Sequence, residues 1–318
     1  MSAPVLFCSS VVWSKYAAQI RAASPGIQVV TFRTGDRVSD EDASRITIAF
    51  SSDDLYPDGL PAFFKVCLDS PSLQWIQVFN AGIDHPVFAM MRSKGLRLTT
   101  GSGTSAIPIA QHVVMCLLAL ARDLPGSIVD QQRREWRPRQ IGDVEERVVG
   151  VLGMGPIGAE AARLAGHLGM RAIGMRRIVS GYEPCETWTF DRLDELLGVV
   201  DDLVLALPLT TETRQLIGAR ELALLRPGAR LVNVGRGDLI DESAMIVALQ
   251  SGQLGGAGLD VFATEPLPTD NPLWNLPNVI ITPHTSGDSP LATRRVNELF
   301  IDNLRRWHGG ERLLHEVG

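Results

Sequence analysis

The sequence is short of cysteine, of long apolar runs and of basic charge, and each shortage excludes a class of protein. Its four cysteines, Cys8, Cys67, Cys116 and Cys185, lie far apart without C-x-x-C or metal-ligand spacing, so we expect reduced thiols and no metal site. No run of about 18 uncharged apolar residues occurs, which predicts that no helix spans a membrane. The formal net charge of −6 argues against a general nucleic-acid-binding protein.

The beginning of the sequence also lacks the features of a secretory signal. Met1-Ser2-Ala3-Pro4 leads into a short predicted strand instead of a cationic segment followed by an apolar one. Together with the cysteine pattern, this predicts a cytoplasmic protein. The chain has 318 residues, 45% of them hydrophobic, which is enough for two domains with cores of their own.

Residues 148–158 are the most informative stretch of the chain. A run of aliphatic residues at 148–152 indicates a buried parallel strand, and Gly153, Gly155 and Gly158 follow at G-x-G-x-x-G spacing before a strongly helix-forming segment. This is the dinucleotide-binding fingerprint, in which the glycines permit a tight turn, close approach of the backbone to a pyrophosphate, and close helix–strand packing. The helix N-terminus adds free N–H groups. The alternative is a glycine-rich turn that binds no ligand.

Strands and helices alternate along the whole chain. In the first hundred residues the predicted strands are 5–8, 27–32, 46–50, 75–79 and 96–99, with helical stretches such as 13–23 between them. Six more strands follow with helices between them, at 148–152, 170–175, 203–207, 230–234, 256–262 and 279–282. The alternation predicts an α/β fold with parallel sheets, in which the second set forms a doubly wound Rossmann domain.

The pattern divides the chain into residues 1–102, a nucleotide-binding domain at 103–285, and a C-terminal segment at 286–318 whose helix can return to cover the first domain. A helix is predicted at 105–122 and is ended by Asp123-Leu124-Pro125-Gly126. It is apolar around most of its circumference, which indicates burial between domains or at a subunit interface. The next segment, 131–139, is a charged arm with one aromatic anchor, Trp136. Helix and arm together predict a homodimer, unless the two domains bury the helix between them.

Polar residues follow several predicted strands, where parallel α/β sheets bind their ligands. Arg236, Glu265 and His284 each come directly after a strand of the second domain, so we expect them to converge on one sheet edge. Taken singly, each has an ordinary interpretation as a surface arginine, a loop carboxylate or a loop histidine. In the first domain, Asn80-Ala81-Gly82 follows a strand and exposes backbone amides that can bind a carboxylate, although an ordinary turn is an equal alternative.

The chemistry of these side chains suits the reduction of a 2-oxo acid. Hydride transfer to the carbonyl carbon leaves an alkoxide that needs a proton, and His284 can supply it near neutral pH. Glu265 would raise the pKa of the histidine and orient its ring. Arg236 would hold the carboxylate of the substrate and polarise its carbonyl group.

The chain resembles the D-isomer-specific 2-hydroxyacid dehydrogenases over nearly its whole length. The motifs that carry the resemblance are G-M-G-P-I-G at 153–158, L-P-L-T-T-E-T-R at 207–214, V-N-V-G-R-G-D-L-I-D at 232–241, G-L-D-V-F-A-T-E-P-L-P at 258–268 and T-P-H-T-S-G at 282–287. The resemblance implies the catalytic trio Arg236, Glu265 and His284, a homodimer, and a flavodoxin-like substrate domain formed by both chain ends.

The resemblance also implies ligand contacts along these motifs. Asn80, Ala81 and Gly82 would bind the substrate together with Arg236 and His284, and Asp260 would contact the nicotinamide carboxamide. The implied cofactor-binding residues are Gly153, Met154, Gly155, Pro156, Ile157, Gly158, Arg176, Arg177, Leu207, Pro208, Thr213, Val234, Gly235, Arg236, Asp260, His284, Ser286 and Gly287. Similarity to glyoxylate/hydroxypyruvate reductases favours glyoxylate or hydroxypyruvate as substrate. A second hypothesis is a nicotinamide-binding, corepressor-like scaffold that keeps these residues and acts through partner binding.

The end of the second Rossmann strand predicts which cofactor is bound. An NAD-preferring site places an Asp or Glu there, about 20 residues beyond the fingerprint, to accept hydrogen bonds from the ribose hydroxyls. This chain has Arg176-Arg177 and no acid at that point of the sequence. Two guanidinium groups would attract a 2′-phosphate, so we expect NADP(H) in preference to NAD(H). The alternative is that both arginines point into solvent.

Overall fold

The computed structural model describes residues 3–317. Strands and helices alternate through the first hundred residues, as the sequence predicts. They are β1 Val5–Ser9, α1 Ser10–Ala23, β2 Gln28–Phe32, α2 Asp40–Arg45, β3 Ile48–Ser51, α3 Leu60–Asp69, β4 Trp75–Val78, α4 Pro86–Ser93 and β5 Arg97–Thr99.

The same alternation continues after two consecutive helices. The elements are α5 Ala106–Ala121, α6 Leu124–Arg133, β6 Val148–Leu152, α7 Pro156–His167, β7 Arg171–Met175, β8 Glu186–Trp188, α8 Leu193–Val199, β9 Asp202–Leu205, α9 Ala219–Leu224, β10 Ala229–Asn233, α10 Glu242–Ser251, β11 Leu254–Leu259, β12 Val279–Ile281 and α11 Pro290–His308. The fold class is therefore α/β, as predicted.

The chain forms two compact units. Unit 1 comprises the chain up to Thr104 and the chain from Ser289 onward, and unit 2 comprises Ser105–Asp288. Unit 1 contains a parallel sheet with the strand order β2-β1-β3-β4-β5. Its central strands are buried along their whole length, as expected for a parallel sheet that is covered by helices on both faces.

Helix α11 belongs to unit 1 because its apolar side packs against that sheet. Phe300 stacks on Phe50 of β3 with ring centroids 4.3 Å apart, and Asn303 donates a hydrogen bond to Gln77 of β4 at 2.9 Å. After α11, the chain pairs with the β5 edge, where the Val317 amide donates to the Leu98 carbonyl oxygen at 2.9 Å. Sequence-distant ends of the chain thus share one core.

Unit 2 is a doubly wound α/β domain with seven parallel strands in the order β12-β11-β10-β9-β6-β7-β8. Alternate residues of each central strand face opposite layers of helices: in β9, Leu203 and Leu205 contribute to one apolar cluster and Val204 to the other. The strand order reverses between β6 and β9, and in such sheets the crevice at this reversal binds the ligand.

Two local predictions for unit 2 were wrong. The sequence predicts six strands, but the short strand β8 is a seventh, and its three residues are too few to show a period. The segment after α5, predicted as a helix end followed by a charged arm, contains helix α6. Asp123 accepts a hydrogen bond from the Gly126 amide and caps this helix, and Pro125 lies in its first turn, so residues predicted to stop one helix begin another.

Helix α5 is apolar because much of it lies in the core of unit 2. Ala110, Val113, Cys116 and Leu117 pack with residues of β6 and α7. Ile107 and Met115, on the same helix, are exposed. Within residues 3–317 no single helix is long and apolar enough to cross a membrane; α5 and α6 pass that test only as a pair, and the chain bends by 63° at the break between them.

Candidate active site

The glycine-rich turn after β6 has the geometry that a dinucleotide needs. Gly153 has φ +100°, and a Cβ at residue 158 would lie 1.9 Å from the Gly153 carbonyl oxygen, so α7 packs directly on the turn. At Gly155 a Cβ would meet no atom within 4 Å, which leaves open space in front of the N-terminus of α7. As predicted, Gly153 forms the tight turn, Gly155 leaves the approach to the helix open, and Gly158 permits the close packing of α7. The residues present therefore fit a pyrophosphate at this helix N-terminus.

Three further segments reach the same sheet edge as the glycine turn. The loop after β9 carries Leu207, Pro208 and Thr213, and the Thr213 hydroxyl donates to the Pro208 carbonyl oxygen at 2.7 Å. Val234 and Gly235 follow β10, and a Cβ at Gly235 would lie 2.8 Å from the Leu207 carbonyl oxygen, so these two loops touch. Ser286 and Gly287 follow β12.

Glu265 and His284 form a hydrogen-bonded pair at this edge. The Nδ1 atom of His284 lies 2.8 Å from the Glu265 carboxylate, whose other oxygen accepts a hydrogen bond from the Phe262 amide at 3.0 Å. The Glu265 carboxylate, which is hydrogen-bonded to the Phe262 amide, therefore orients the His284 ring, and Nε2 is the ring nitrogen that faces away from Glu265. The backbone of His284 is in the left-handed region, with φ +55°.

Arg236 is the third candidate residue, and Asn233 at the end of β10 shapes its turn. The buried Asn233 side chain donates to the Arg236 carbonyl oxygen at 2.8 Å and accepts from the Gly235 amide at 3.0 Å. Arg236 also lies close enough to Glu265 and His284 for its charge to lower the pKa of both groups. The structure thus brings together the three residues that the sequence predicts to converge.

The pKa shifts of the pair have opposite directions. The hydrogen bond to Glu265 is the largest influence on His284 and raises its pKa, although burial and the charge of Arg236 act against it. For Glu265, burial favours the neutral acid, but the contacts with His284, the Phe262 amide and Arg236 outweigh burial and lower its pKa. The pair therefore favours a carboxylate beside an imidazolium, which is the arrangement of a proton donor.

Asp260 anchors the turn that carries His284. Its buried carboxylate accepts hydrogen bonds from the Thr282 hydroxyl at 2.6 Å, from the Thr285 amide at 2.9 Å and from the Ser286 amide at 3.1 Å. His112 of α5 lies 3.4 Å from the Thr282 hydroxyl. Sequence reasoning missed Thr282, Thr285 and His112 as supports of this turn, because only their convergence on Asp260 reveals the role.

The end of β7 requires a correction. The sequence shows no acid beside Arg176 and Arg177, but the structure brings Glu183 back to this point, where its carboxylate lies 2.5 Å from the Arg176 guanidinium. Arg177 is exposed, and its charge contributes to a lowered pKa of Glu212. Spacing along the chain missed Glu183 because the loop 176–183 turns back on itself.

The remaining predicted residues, Asn80, Ala81 and Gly82, follow β4 in unit 1. The Asn80 side-chain amide donates to the Gly82 carbonyl oxygen, and the Asn80 carbonyl oxygen accepts from the Gly101 amide at 3.0 Å. The turn is thus held at both ends while Ala81 is exposed. Within residues 3–317, no group of three or more His, Cys, Asp or Glu side chains is arranged to hold a metal ion.

Comparison with known proteins identifies similar chains. Residues 114–286 match the family model for the NAD-binding domain of D-isomer specific 2-hydroxyacid dehydrogenases. The glyoxylate/hydroxypyruvate reductase B of Pectobacterium carotovorum is 35% identical over 250 residues, which cover 76% of this chain and 78% of that protein.

Two solved structures have a similar fold. A D-isomer specific 2-hydroxyacid dehydrogenase from Xanthobacter autotrophicus, in complex with NADPH and MES, superposes with a TM-score of 0.83 at 32% identity, covering 100% of this chain and 98% of that one. An NADPH-dependent glyoxylate/hydroxypyruvate reductase from Sinorhizobium meliloti, in complex with NADP and sulfate, gives a TM-score of 0.82 at 29% identity, covering 99% of this chain and 98% of that one.

We expect Glu265→Gln to lower the pKa of His284. The variant loses the carboxylate that raises this pKa and keeps burial and Arg236, both of which lower it. An NMR titration of the His284 ring protons measures the shift. Glu242→Gln is the control, because that nearby carboxylate binds the Asn271 side chain at 2.8 Å and not His284. An unchanged His284 pKa in Glu265→Gln would contradict the electrostatic assignment.

Proposed function

The chain belongs to the D-isomer-specific 2-hydroxyacid dehydrogenases and is an NAD(P)-dependent oxidoreductase, and from this premise we propose that it reduces a small 2-oxo acid to the D-2-hydroxy acid with NADPH. Glyoxylate, hydroxypyruvate or a similar acid is the proposed substrate. The observation that carries the proposal is the hydrogen-bonded pair of Glu265 and His284, which lies at the same sheet edge as the glycine turn after β6. The relatives named above, one of them a glyoxylate/hydroxypyruvate reductase, support the substrate class.

In this proposal His284 is the proton donor. A reduced nicotinamide cofactor held at the turn of Gly153, Gly155 and Gly158 would provide the hydride for this reduction. His284 gives the proton on Nε2 to the carbonyl oxygen, since Nδ1 is engaged by Glu265. Glu265 keeps the ring oriented and favours the imidazolium from which the proton comes.

Arg236 binds the acid group of the substrate in this proposal. A guanidinium stays charged and pairs with a carboxylate through two parallel hydrogen bonds, which fixes the substrate's orientation. For unit 1, we propose that the amides of Ala81 and Gly82 bind the substrate, and the hydrogen bond from Asn80 to Gly82 supports this by holding the turn. Unit 1 would then be the substrate domain. The corepressor-like scaffold gains no support from relatives that carry enzyme names.

We expect the purified protein to oxidise NADPH with glyoxylate or hydroxypyruvate, and His284→Ala to lower kcat by about 10²- to 10⁴-fold, the usual contribution of general acid catalysis. Steady-state kinetics on a panel of 2-oxo acids measures both. His167→Ala is the control, because His167 lies exposed at the end of α7 and contacts the Arg163 carbonyl oxygen. Unaltered turnover in His284→Ala would exclude the assigned role, and no activity on any 2-oxo acid would exclude the reaction.

The preference for NADPH rests on the end of β7. Arg176 and Arg177 can pair with a 2′-phosphate, and Glu183 does not take the place of the acid in an NAD-type site, because its side chain is only 4% exposed and already accepts four hydrogen bonds within its own loop. The two similar structures that contain NADPH or NADP support this preference.

We expect kcat/KM for NADPH to exceed kcat/KM for NADH, and Arg176→Asp to shift the preference toward NADH. The aspartate would repel the 2′-phosphate and could accept hydrogen bonds from the ribose hydroxyls. Paired kinetics with the two cofactors measures this ratio. Arg171→Asp is the matched control, since Arg171 lies at the opposite end of β7. Equal or better use of NADH by the wild-type protein would refute the preference.

We also propose a homodimer formed through α5, α6 and the arm that follows them. Six large apolar side chains along this stretch of unit 2 are exposed: Ile107, Met115, Leu124, Ile128, Trp136 and Ile141. Trp136 is 97% exposed, which is unusual for so large an apolar side chain in a protein that stays monomeric.

We also propose a cytoplasmic location, with which the unpaired cysteines are consistent.

Light scattering coupled to size exclusion at micromolar concentration should give twice the mass of the chain. Met115→Glu should give the single-chain mass, because a carboxylate would be buried in the proposed interface without a partner. Val247→Glu is the control, since Val247 is an exposed apolar residue on α10, outside the stretch of α5, α6 and the arm. A single-chain mass for the wild-type protein would rule out the dimer.

A further inference from the structure

The loop between β7 and β8 is folded around the carboxylate of Glu183. This side chain is only 4% exposed although residues 177–182 around it are exposed. One oxygen accepts hydrogen bonds from the Ser180 amide at 2.8 Å, the Ser180 hydroxyl at 2.7 Å and Arg176 Nη1 at 2.5 Å. The other oxygen accepts from the Gly181 amide at 2.8 Å. An acid is thus buried in a loop that is otherwise open to solvent.

These contacts commit the Glu183 carboxylate to its own loop. Three donors share one of its oxygens, one donor binds the other oxygen, and the side chain is only 4% exposed. The hydrogen bonds from the Ser180 amide and hydroxyl, with the others, lower the pKa of Glu183 to about 2, so the group is ionised at neutral pH. Glu183 is therefore a permanent counter-charge for Arg176 and holds the loop closed.

Arg176 is held by one side of its guanidinium group. Within residues 3–317, Nη1 binds Glu183 and lies 3.4 Å from the Ser180 hydroxyl, whereas Nε and Nη2 make no hydrogen bond. The side chain is 37% exposed. A guanidinium that is oriented in this way loses less conformational freedom when it binds a phosphate than a freely rotating one does.

We propose that Glu183 is a positioning residue for cofactor selection: it fixes Arg176 so that the free side of the guanidinium group meets the 2′-phosphate of NADP(H). This inference rests on the proposed preference for NADPH. The proposed effect is one of ordering: Glu183 strengthens the binding of the 2′-phosphate because it orients Arg176, which lies between the two negative groups.

The opposite effect is the direct repulsion between Glu183 and the phosphate. If repulsion dominated, removal of the carboxylate would tighten the binding of the phosphate. If orientation dominates, removal weakens it, because Arg176 must then be ordered when the ligand binds. The sign of the change in affinity therefore distinguishes the two effects.

The experiment measures binding by isothermal titration calorimetry and needs no turnover. The probes are adenosine 2′,5′-bisphosphate and adenosine 5′-monophosphate, which differ only in the 2′-phosphate. We expect Glu183→Ala to raise the Kd of the bisphosphate about 3- to 10-fold, the range expected from ordering one long side chain, and to leave the Kd of the monophosphate unchanged. Glu186→Ala is the matched control, because Glu186 pairs with Arg171 at 2.9 Å, at the opposite end of β7.

A double variant tests whether Glu183 acts through Arg176. In the Arg176→Ala background, Glu183→Ala should have no further effect on the Kd of the bisphosphate. Melting temperatures check that each variant is folded, which we expect because the loop residues around Glu183 are exposed.

Three outcomes would overturn the proposal: unchanged or tighter binding of the bisphosphate to Glu183→Ala, an equal loss for both nucleotides, or a full further loss in the double variant. The failure of the underlying function has a different signature. If the wild-type protein binds the bisphosphate no more tightly than the monophosphate, it has no site for the 2′-phosphate, and the preference for NADPH fails. If the wild-type protein does favour the bisphosphate but Arg176→Ala keeps that difference, Arg177 binds the 2′-phosphate, and only the positioning role of Glu183 fails.

Discussion

The first turn of α7 lies directly on the turn that ends β6. A Cβ at residue 158 would be 1.9 Å from the Gly153 carbonyl oxygen, and one at residue 153 would be 2.6 Å from the Ala206 carbonyl oxygen. Larger residues at either position would push α7 or the loop after β9 away from the sheet. This close packing keeps the N-terminus of α7 at the edge where the strand order reverses. The rest of the candidate site in unit 2 lies along that same edge.

Carboxylates that accept hydrogen bonds from backbone amides hold the other parts of this site in place. Glu265 accepts from the Phe262 amide and orients His284, and Asp260 accepts from two amides of the turn that carries His284. Glu183 accepts from the Ser180 and Gly181 amides and holds Arg176. Glu265 and Glu183 each couple a functional side chain to the main chain, and Asp260 holds the turn that carries His284, so that the geometry does not depend on a mobile side chain alone. Such charge-assisted hydrogen bonds are shorter and stronger than those between neutral groups.

Most of the fold and the central part of the site could be predicted from local patterns. Buried parallel strands appear as short apolar runs, and the residues that follow them must share a sheet edge, which is why Arg236, Glu265 and His284 were found together. Helix α6 was missed because Asp123 and Pro125 can end a helix or begin one, and only the chain path decides between these roles. Strand β8 was missed because its three residues are held in place by pairing with β7.

The sequence by itself determined the strand–helix alternation, the glycine turn, and which three charged or ionisable side chains meet at the sheet edge, since these follow from residue type and spacing. Tertiary structure alone decided which groups support them. Glu183 is seven residues from Arg176, yet the loop brings the two into contact, and Asp260 binds Thr282, Thr285 and Ser286 in the segment that follows β12. Hydrogen bonds of this kind depend on where the backbone turns, and that is set by the packing of the whole sheet and not by the residues between the partners.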